Sequence, residues 1–178
     1  ANGKKHCPND MEFGADNKIW LSTNNSVVWG DGGGKIFSST DGNTFIQKHQ
    51  IPDAKRTQIA VSSTIADKVF ALAEVSIPTP ATETVSIIST TDGFATVNTS
   101  VSLPVSIGVQ PPAANDFCRN QAFYDLLIGM NPTNDNEVYV GGIEIFRTTT
   151  AFTGTTSAMW TQHTDWTVNP TDTGNTAA

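Results

Sequence analysis

The sequence predicts an all-β protein built from about three similar groups of four antiparallel strands. No stretch of twelve residues keeps an apolar face at helical spacing, because glycine, proline or threonine runs interrupt each candidate. Short β-rich runs alternate instead with turn-forming residues. Phe37, Ile88 and Phe146 hold matching places in successive groups, at spacings of 51 and 58 residues. One supersecondary unit therefore recurs along the chain.

The predicted strands divide into three groups, at 8–50, 51–110 and 115–166, and a tail at 167–178 has no strand pattern. In chain order the strands are predicted at 11–14, 18–23, 35–40, 45–48; 57–62, 68–73, 85–90, 97–103; and 124–129, 137–141, 143–148, 160–163. A four-stranded unit recurring every ~40–50 residues is typical of a propeller blade, which buries its faces only by stacking around an axis. Residues 1–178 are therefore predicted to be part of a larger β-propeller.

A β-sandwich or a jelly roll would also give many short strands. Neither has a reason to repeat one local turn at the same place in successive units. Residues 38–45 read Ser-Ser-Thr-Asp-Gly-Asn-Thr-Phe and residues 89–96 read Ser-Thr-Thr-Asp-Gly-Phe-Ala-Thr, each after an apolar strand. This repeated turn favours the propeller.

The turn motif has a physical mechanism. Its aspartate accepts backbone N–H groups of its own loop, and the following glycine tolerates a positive φ. A hydroxyl two residues before the aspartate closes the turn from the other side, and a later apolar residue pins the loop to the sheet. We therefore expect structural rather than catalytic roles for Ser39, Asp41, Gly42, Phe45, Thr90, Asp92 and Gly93.

This motif resembles the Asp-box, or BNR repeat, of sialidases, sortilin-type receptors and xyloglucanase-type glycoside hydrolases. The family form runs Ser/Thr, any residue, Asp, any residue, Gly, two residues, then usually Trp. The first copy is one residue shorter between Asp41 and Phe45, and the second has Phe94 in the glycine place. In the third group residues 148–150 are three threonines, so the aspartate is lost, whereas the closing Trp160 is retained. The resemblance implies a propeller with these turns on its outer rim.

A second resemblance concerns location. Residues 9–21 and 121–142 look like the blade openings of large secreted propellers from Bacteroidetes-type bacteria, which often carry a sorting domain for type IX secretion. This implies a secreted or cell-surface bacterial protein. The 25 threonines and 13 serines fit an extracellular β-protein. Residues 1–7 are not an intact signal peptide, so we expect a processed product or part of a longer chain.

Charge excludes some partners. The net charge is −7, and the 10 basic residues are scattered along the chain. Phosphate backbones and anionic membranes need clustered positive charge, so no nucleic acid is expected as a partner. No apolar run approaches the ~20 residues of a transmembrane helix.

Four residues are candidates for ligand contacts. Trp29 lies in a glycine-rich loop, where an exposed ring can stack on a glycan or a protein partner. Arg56 and Arg119 precede predicted innermost strands, and Asp125 lies at the start of one, so these side chains could face the central opening. No cofactor or metal site is predicted, because the three histidines lack metal-ligand spacing.

Binding or scaffolding is the predicted function, in which the loops of a surface propeller engage a glycan or a protein. The alternative is part of a secreted glycoside hydrolase with an Asp-box propeller, which would use two carboxylates together. The acids nearest the predicted innermost strands are Asp10, Glu12 and Asp125. Hydrogen bonding to the backbone at strand entries is the simpler role for Asp10 and Asp125. Sialidase chemistry would need an arginine triad converging on one site, which the sequence does not indicate.

Two further expectations concern the ends of the repeat. Cys7 and Cys118 precede predicted innermost strands, so either a disulfide between them or two thiols is compatible with the sequence. Propellers close with ~4–8 blades, so three blades leave two broad faces open. We expect the remaining blades of the same chain, or other copies, to cover those faces.

Overall fold

A computed structural model describes residues 3–165 except 29, 31, 79–80, 100 and 107–116. It contains three antiparallel sheets of four, three and four strands. This confirms the predicted all-β class. Trp29 and the predicted tail at 167–178 lie outside the described residues.

The first sheet is a meander in chain order, of β1 (Cys7–Phe13), β2 (Ile19–Asn24), β3 (Lys35–Ser39) and β4 (Ile46–Gln50). Burial alternates at the start of β2, because one face of the sheet packs on the second sheet. All five residues of β3, the third strand, are buried.

The second sheet has three strands, β5 (Ala54–Val61), β6 (Val69–Pro78) and β7 (Ala81–Thr90). The described residues of the predicted fourth strand at 97–103, which exclude residue 100, form one bridge, between Ser89 and Asn98.

Packing explains why this fourth strand does not continue. Val101 is buried in the core shared with the third sheet, and Leu103 packs against that core. The indole N–H of Trp160 donates to the carbonyl of Ser102 at 2.6 Å. Contacts with the third sheet thus replace strand pairing over this segment.

The third sheet is formed by β8 (Leu127–Asn131), β9 (Asn134–Gly141), β10 (Ile145–Thr148) and β11 (Thr161–Gln162), paired in chain order. A 3-10 turn, Ser157–Met159, precedes β11.

The start of the third group differs from the predicted strand at 124–129. A single helical turn, α1 (Ala122–Asp125), comes first, and β8 begins only at Leu127. Arg119 and Asn120 have positive φ values of 49° and 59°, which reverse the chain. The Gln121 carbonyl then accepts the Asp125 N–H at 3.2 Å, so local hydrogen bonding takes the place of a strand.

Two hydrophobic cores join the three sheets, and β6 contributes to both. Phe70 and Leu72 are buried against the third sheet, whereas Val69, Ala71 and Ala73 are buried against the first. All five side chains are fully buried, as expected for the central strand of a sheet covered on both faces. The first strands of the sheets lie next to one another, since β5 contacts both β1 and β8.

Candidate functional site

The two ends of the sheets carry different groups. Because neighbouring strands run antiparallel, the turns after the first and third strands of each sheet lie at one end, here named the turn end. The loops between second and third strands, and the connections between sheets, lie at the other, the loop end. Asp41 and Asp92 lie at the turn end, and Arg56 and α1 at the loop end.

At the turn end, the Asp41 turn is closed by hydrogen bonds from two sides. Asp41 Oδ1 accepts the backbone N–H groups of Thr44 at 2.7 Å and Asn43 at 2.9 Å. Ser39 Oγ donates to the same oxygen at 3.0 Å and accepts the N–H of Gly42, also at 3.0 Å. Thr44, Asn43 and Ser39 lower the pKa of the Asp41 carboxyl from 3.8 to about 2. Gly42 has φ 71°, which a side chain would oppose.

The Asp92 turn has the same arrangement. Its carboxylate accepts the backbone N–H of Thr96 at 2.9 Å and the Thr96 hydroxyl at 2.7 Å. Thr90 Oγ1 donates to Asp92 Oδ1 at 2.8 Å and accepts the N–H of Phe94 at 3.0 Å. The pKa of Asp92 is lowered, first by the Thr96 N–H. Gly93 has φ 68°.

The aromatic residue that covers each turn differs from expectation. Phe45 leaves 36% of its surface exposed, so it covers the first turn only in part. Phe94 is buried although its φ is 72°. Its ring stacks on His49 at 5.2 Å and meets Trp20 edge-on at 5.9 Å. The sequence signal was a phenylalanine in a glycine place, which indicates that packing outweighs backbone preference there.

The third turn keeps the geometry without the carboxylate. Thr148 Oγ1 accepts the Thr150 N–H at 3.1 Å, as Ser39 and Thr90 do for Asp41 and Asp92 in their turns. The hydroxyls of Thr148 and Thr150 are 3.4 Å apart. Thr150 stands in the place of the aspartate, and its backbone carbonyl accepts the N–H groups of Thr153 at 3.1 Å and Gly154 at 2.7 Å.

At the loop end, a polar chain crosses the first strands of the first two sheets and ends at α1. In the amide orientation that satisfies both neighbours, Gln58 donates to Asp10 Oδ2 at 2.8 Å and accepts from Arg56 Nη2 at 2.9 Å. Arg56 Nη1 donates to the carbonyl of Phe123 at 3.3 Å. Arg56, a predicted ligand contact, thus fixes the position of the short helix.

That helix presents an exposed aromatic pair, named here the aromatic platform and formed by Phe123 and Tyr124. The side chains are 58% and 57% exposed, and their ring centroids lie 4.9 Å apart in an edge-on arrangement. The Tyr124 hydroxyl donates to Gln121 Oε1, and Arg56 holds the backbone of Phe123. The two rings of the platform are therefore exposed to solvent, and hydrogen bonds hold the segment that carries them. Sequence reasoning assigned Tyr124 to a strand and so missed it.

Arg119 and Asp125 are half-buried residues at the two ends of the α1 segment. Arg119 Nε and Nη2 and both carboxylate oxygens of Asp125 are shielded from solvent. The structure therefore keeps the Asp125 carboxylate and part of the Arg119 guanidinium away from the surface. Trp29, the fourth candidate, lies outside the described residues.

The two acids of β1, Asp10 and Glu12, have different surroundings. Asp10 Oδ1 accepts the Met11 N–H and Oδ2 accepts the Ile59 N–H, each at 2.9 Å. Burial, followed by the charge of Asp10, raises the pKa of Glu12. Among the described residues, no group of three or more His, Cys, Asp or Glu side chains is placed to hold a metal ion.

The two cysteines lie in different surroundings. Cys7 is half-buried in β1, whereas Cys118 is buried in the core between the second and third sheets. The structure contains no bond between them. The sequence leaves a disulfide and two thiols as equal alternatives, and an intact mass measured without reductant distinguishes them. No helix within the described ranges has the length and hydropathy to span a bilayer.

Comparison with known proteins identifies similar folds. No protein-family model and no curated protein matches the chain. Among solved structures it resembles a GH74 enzyme of Niastella koreensis, at 16% identity and a TM-score of 0.60 over 86% of this chain. It also resembles a GH74 xyloglucanase from Xanthomonas campestris, at 15% identity and a TM-score of 0.61 over 89% of this chain. The chain spans 23% and 24% of those proteins, and the likeness supports the predicted propeller-type fold.

Proposed function

We propose that this chain is a β-propeller module that binds a glycan through the loop end of its sheets. The observation that carries the proposal is the aromatic platform, because two exposed rings held in place offer apolar faces to a sugar. Arg56 and Gln121 hold the platform from either side. The similar solved structures are GH74 proteins, one of them a xyloglucanase, which supports a glycan as ligand.

A titration with xyloglucan tests this proposal. We expect Phe123→Ala and Tyr124→Ala each to weaken binding about fivefold to tenfold, because each removes apolar contact with the sugar. The matched control is Ile65→Ala, which removes an exposed apolar side chain (49% exposed) at the turn end. Equal affinities for the control and the two platform variants, at unchanged melting temperature, would contradict the proposal. Absence of binding to xyloglucan and to a panel of other neutral polysaccharides would do so as well.

Catalysis is the second candidate function, and the raised pKa of Glu12 favours it. A general acid in a glycoside hydrolase needs a raised pKa, and a second carboxylate must lie on the other side of the scissile bond. Asp10 is engaged by two backbone N–H groups, so Asp125 would be the second acid, and its shielded carboxylate would have to become accessible to the substrate. Release of reducing sugar from xyloglucan, lost in both Glu12→Gln and Asp125→Asn, would support hydrolysis. No release by the wild-type chain under conditions where it binds would leave binding as the function.

The Asp41 and Asp92 turns have a structural role in this proposal, as in the Asp-box that they resemble. Both carboxylates are saturated by donors from their own loops, and both lie at the end opposite the platform. The threonine-rich composition and the resemblance to secreted propellers support a location outside the cell or on its surface. Detection of the parent protein in cell-surface or culture-medium fractions tests that location.

A further inference from the structure

The three sheets repeat one interface. Trp20, Phe70 and Tyr139 hold the same place in the second strand of each sheet. Trp20 is buried against the second sheet and Phe70 against the third. Tyr139 is half-buried on the face of the third sheet that, among the described residues, packs on no other sheet. The first and second sheets thus each present an aromatic residue toward the next sheet along the chain.

A lysine two residues earlier strengthens each of the two contacts. Lys18 Nζ lies 2.5 Å from Asp67 Oδ1, in the turn after the first strand of the second sheet. Lys68 Nζ lies 3.2 Å from Asp135 Oδ1 and donates to Asn136 Oδ1 at 3.1 Å, in the corresponding segment of the third sheet. In both contacts a lysine two residues before the aromatic residue reaches an acid of the next sheet. That acid is Asp67 in the second sheet and Asp135, beside Asn136, in the third.

Among the described residues, no other sheet covers the receiving half of this interface on the first sheet. Asp16 there accepts the Lys18 N–H at 3.2 Å and lies 3.3 Å from Lys18 Nζ, within its own turn. Asp16 and Asn17 hold the places of Asp135 and Asn136, and Asn17 shares with Asp67 a positive φ, of 58° and 61°. Met11 and Phe13 hold the places of Ile59 and Val61, as the matching turn bonds Gly14 N–H to Lys18 and Ser62 N–H to Lys68 show.

The exposure of these apolar side chains differs between the sheets. Ile59 and Val61 are buried in the core with Trp20. Met11 and Phe13 are 54% and 61% exposed. The first sheet therefore has an uncovered apolar face beside an acid–amide turn.

The third sheet of a second copy does not match this surface. It has Glu137 in the lysine place and Arg147 where the first two sheets have Ser38 and Ser89. Glu137 Oε1 accepts from Arg147 Nε at 2.7 Å and from the Tyr139 hydroxyl at 2.8 Å. A carboxylate would meet Asp16, and like charges across an interface disfavour that partner.

We propose that the open face of the first sheet binds a further β-sheet of this same repeat, one with a lysine two residues before an aromatic residue on its second strand. The aromatic ring covers Met11 and Phe13, and the lysine reaches Asp16 and Asn17. The complementarity is that of the two interfaces already formed within the chain.

The chain itself can be converted into the probe. The variant Glu137→Lys/Arg147→Ser gives the third sheet the lysine and serine of the first two sheets. Two such copies, each packing its third sheet on the other's first sheet, would close a ring of six sheets, within the usual ~4–8. By sedimentation, we expect this variant to form dimers at least about tenfold more tightly than the wild type. The matched control, Glu137→Gln/Arg147→Ser, removes the same ion pair without adding a lysine and should dimerise no better than the wild type.

Two further variants complete the test. Adding Asp16→Ala to the lysine variant should reverse its dimerisation. If the lysine variant does not fold, Asp16→Lys in the otherwise wild-type chain replaces it, because a cation on the first sheet then meets Glu137 of a second copy. Monomers in both the lysine variant and Asp16→Lys, when folded, would overturn the proposal. Dimers of equal affinity in the wild type, the glutamine control and the lysine variant would also overturn it, because the lysine would then not be recognised.

Discussion

At the scale of single residues, Asp41 makes the stability of its turn depend on pH. Its pKa is about 2 in the folded chain, against 3.8 ordinarily. A lowered folded-state pKa stabilises the fold above the unfolded value, and that contribution is lost as the pH falls from 3.8 through about 2.

We therefore expect Asp41→Asn to melt a few degrees below the wild type at pH 6, and the difference to shrink toward zero near pH 2. Melting temperatures of both proteins across this range measure it. Ser39→Ala keeps the carboxylate and its two backbone donors, which are the larger causes of the lowered pKa, so it should retain most of the pH dependence of the wild type. A difference between wild type and Asp41→Asn that stayed constant down to pH 2 would contradict the expectation.

Phe94 gives a second prediction at this scale, because packing and backbone preference oppose each other there. Phe94→Ala should lower the free energy of unfolding by about 3–5 kcal/mol, since it removes the ring between Trp20 and His49. Phe94→Gly loses the same contacts but relieves the positive φ, so it should be the more stable variant by about 1 kcal/mol. Urea denaturation of the two variants checks the order. An alanine variant more stable than the glycine variant would show that φ is not strained.

The sequence predicts the two aspartate turns better than it predicts their aromatic partners. Asp41 and Asp92 bond atoms within four residues of themselves, so their local sequence contains the whole arrangement. Phe94 instead contacts Trp20 and His49 in the first sheet, and nothing in its local sequence indicates those partners. The same reason explains why the aromatic platform was missed, because Arg56 reaches it across 67 residues.

At the scale of elements, the outer edge of the second sheet is the least regular part of the fold. The predicted fourth strand pairs with β7 only through Ser89 and Asn98, whereas β4 pairs along most of its length with β3. We expect the amides of residues 97–99 to exchange with solvent faster than those of β4, by about tenfold or more, because fewer backbone hydrogen bonds protect them. Hydrogen-exchange mass spectrometry compares the two segments directly, and equal protection would contradict this account.

Periodicity predicts where strands occur more reliably than where they begin. It predicted β9 and β10 within a few residues, yet it extended the first strand of the third group back over α1. The helical turn depends on the positive φ of Arg119 and Asn120. Neither residue predicts a positive φ from sequence as strongly as glycine does. At 97–103, Val101 and Leu103 have strand-like character, but they are used in packing against the third sheet.

At the scale of the whole molecule, the two lysine contacts between sheets differ in burial. We expect the more buried contact to contribute more to the free energy of unfolding. The side chains of Lys68 and Asp135 are 8% and 12% exposed, whereas Asp67, the partner of Lys18, is 37% exposed. Lys68→Ala should lower the free energy of unfolding by roughly 3–5 kcal/mol, because it leaves the Asp135 charge buried without its cation.

Lys18→Ala is the matched comparison and should cost about 1 kcal/mol or less, since water can reach Asp67. Denaturation of the two variants at equal ionic strength measures both. Adding Asp135→Asn to Lys68→Ala should recover much of the loss, because no uncompensated charge then remains. Equal costs for the two lysines would mean that burial does not control these contacts.

The sequence predicts that one group of antiparallel strands recurs along the chain, and it predicts three sheets. It does not predict which residues meet across sheets, because each interface joins positions 49 to 68 residues apart. A single sequence contains no signal that pairs Lys18 with Asp67.

The alternation of β6 between two cores has a consequence for how this protein can change over evolutionary time. β6 contributes side chains to both cores, and the second sheet keeps both although its described outermost segment pairs with β7 through a single bridge. Selection on stability therefore weighs least on the outermost position. Insertions and drift should accumulate there first, so that a descendant of this chain gains new loops at its periphery while the inner strands stay recognisable.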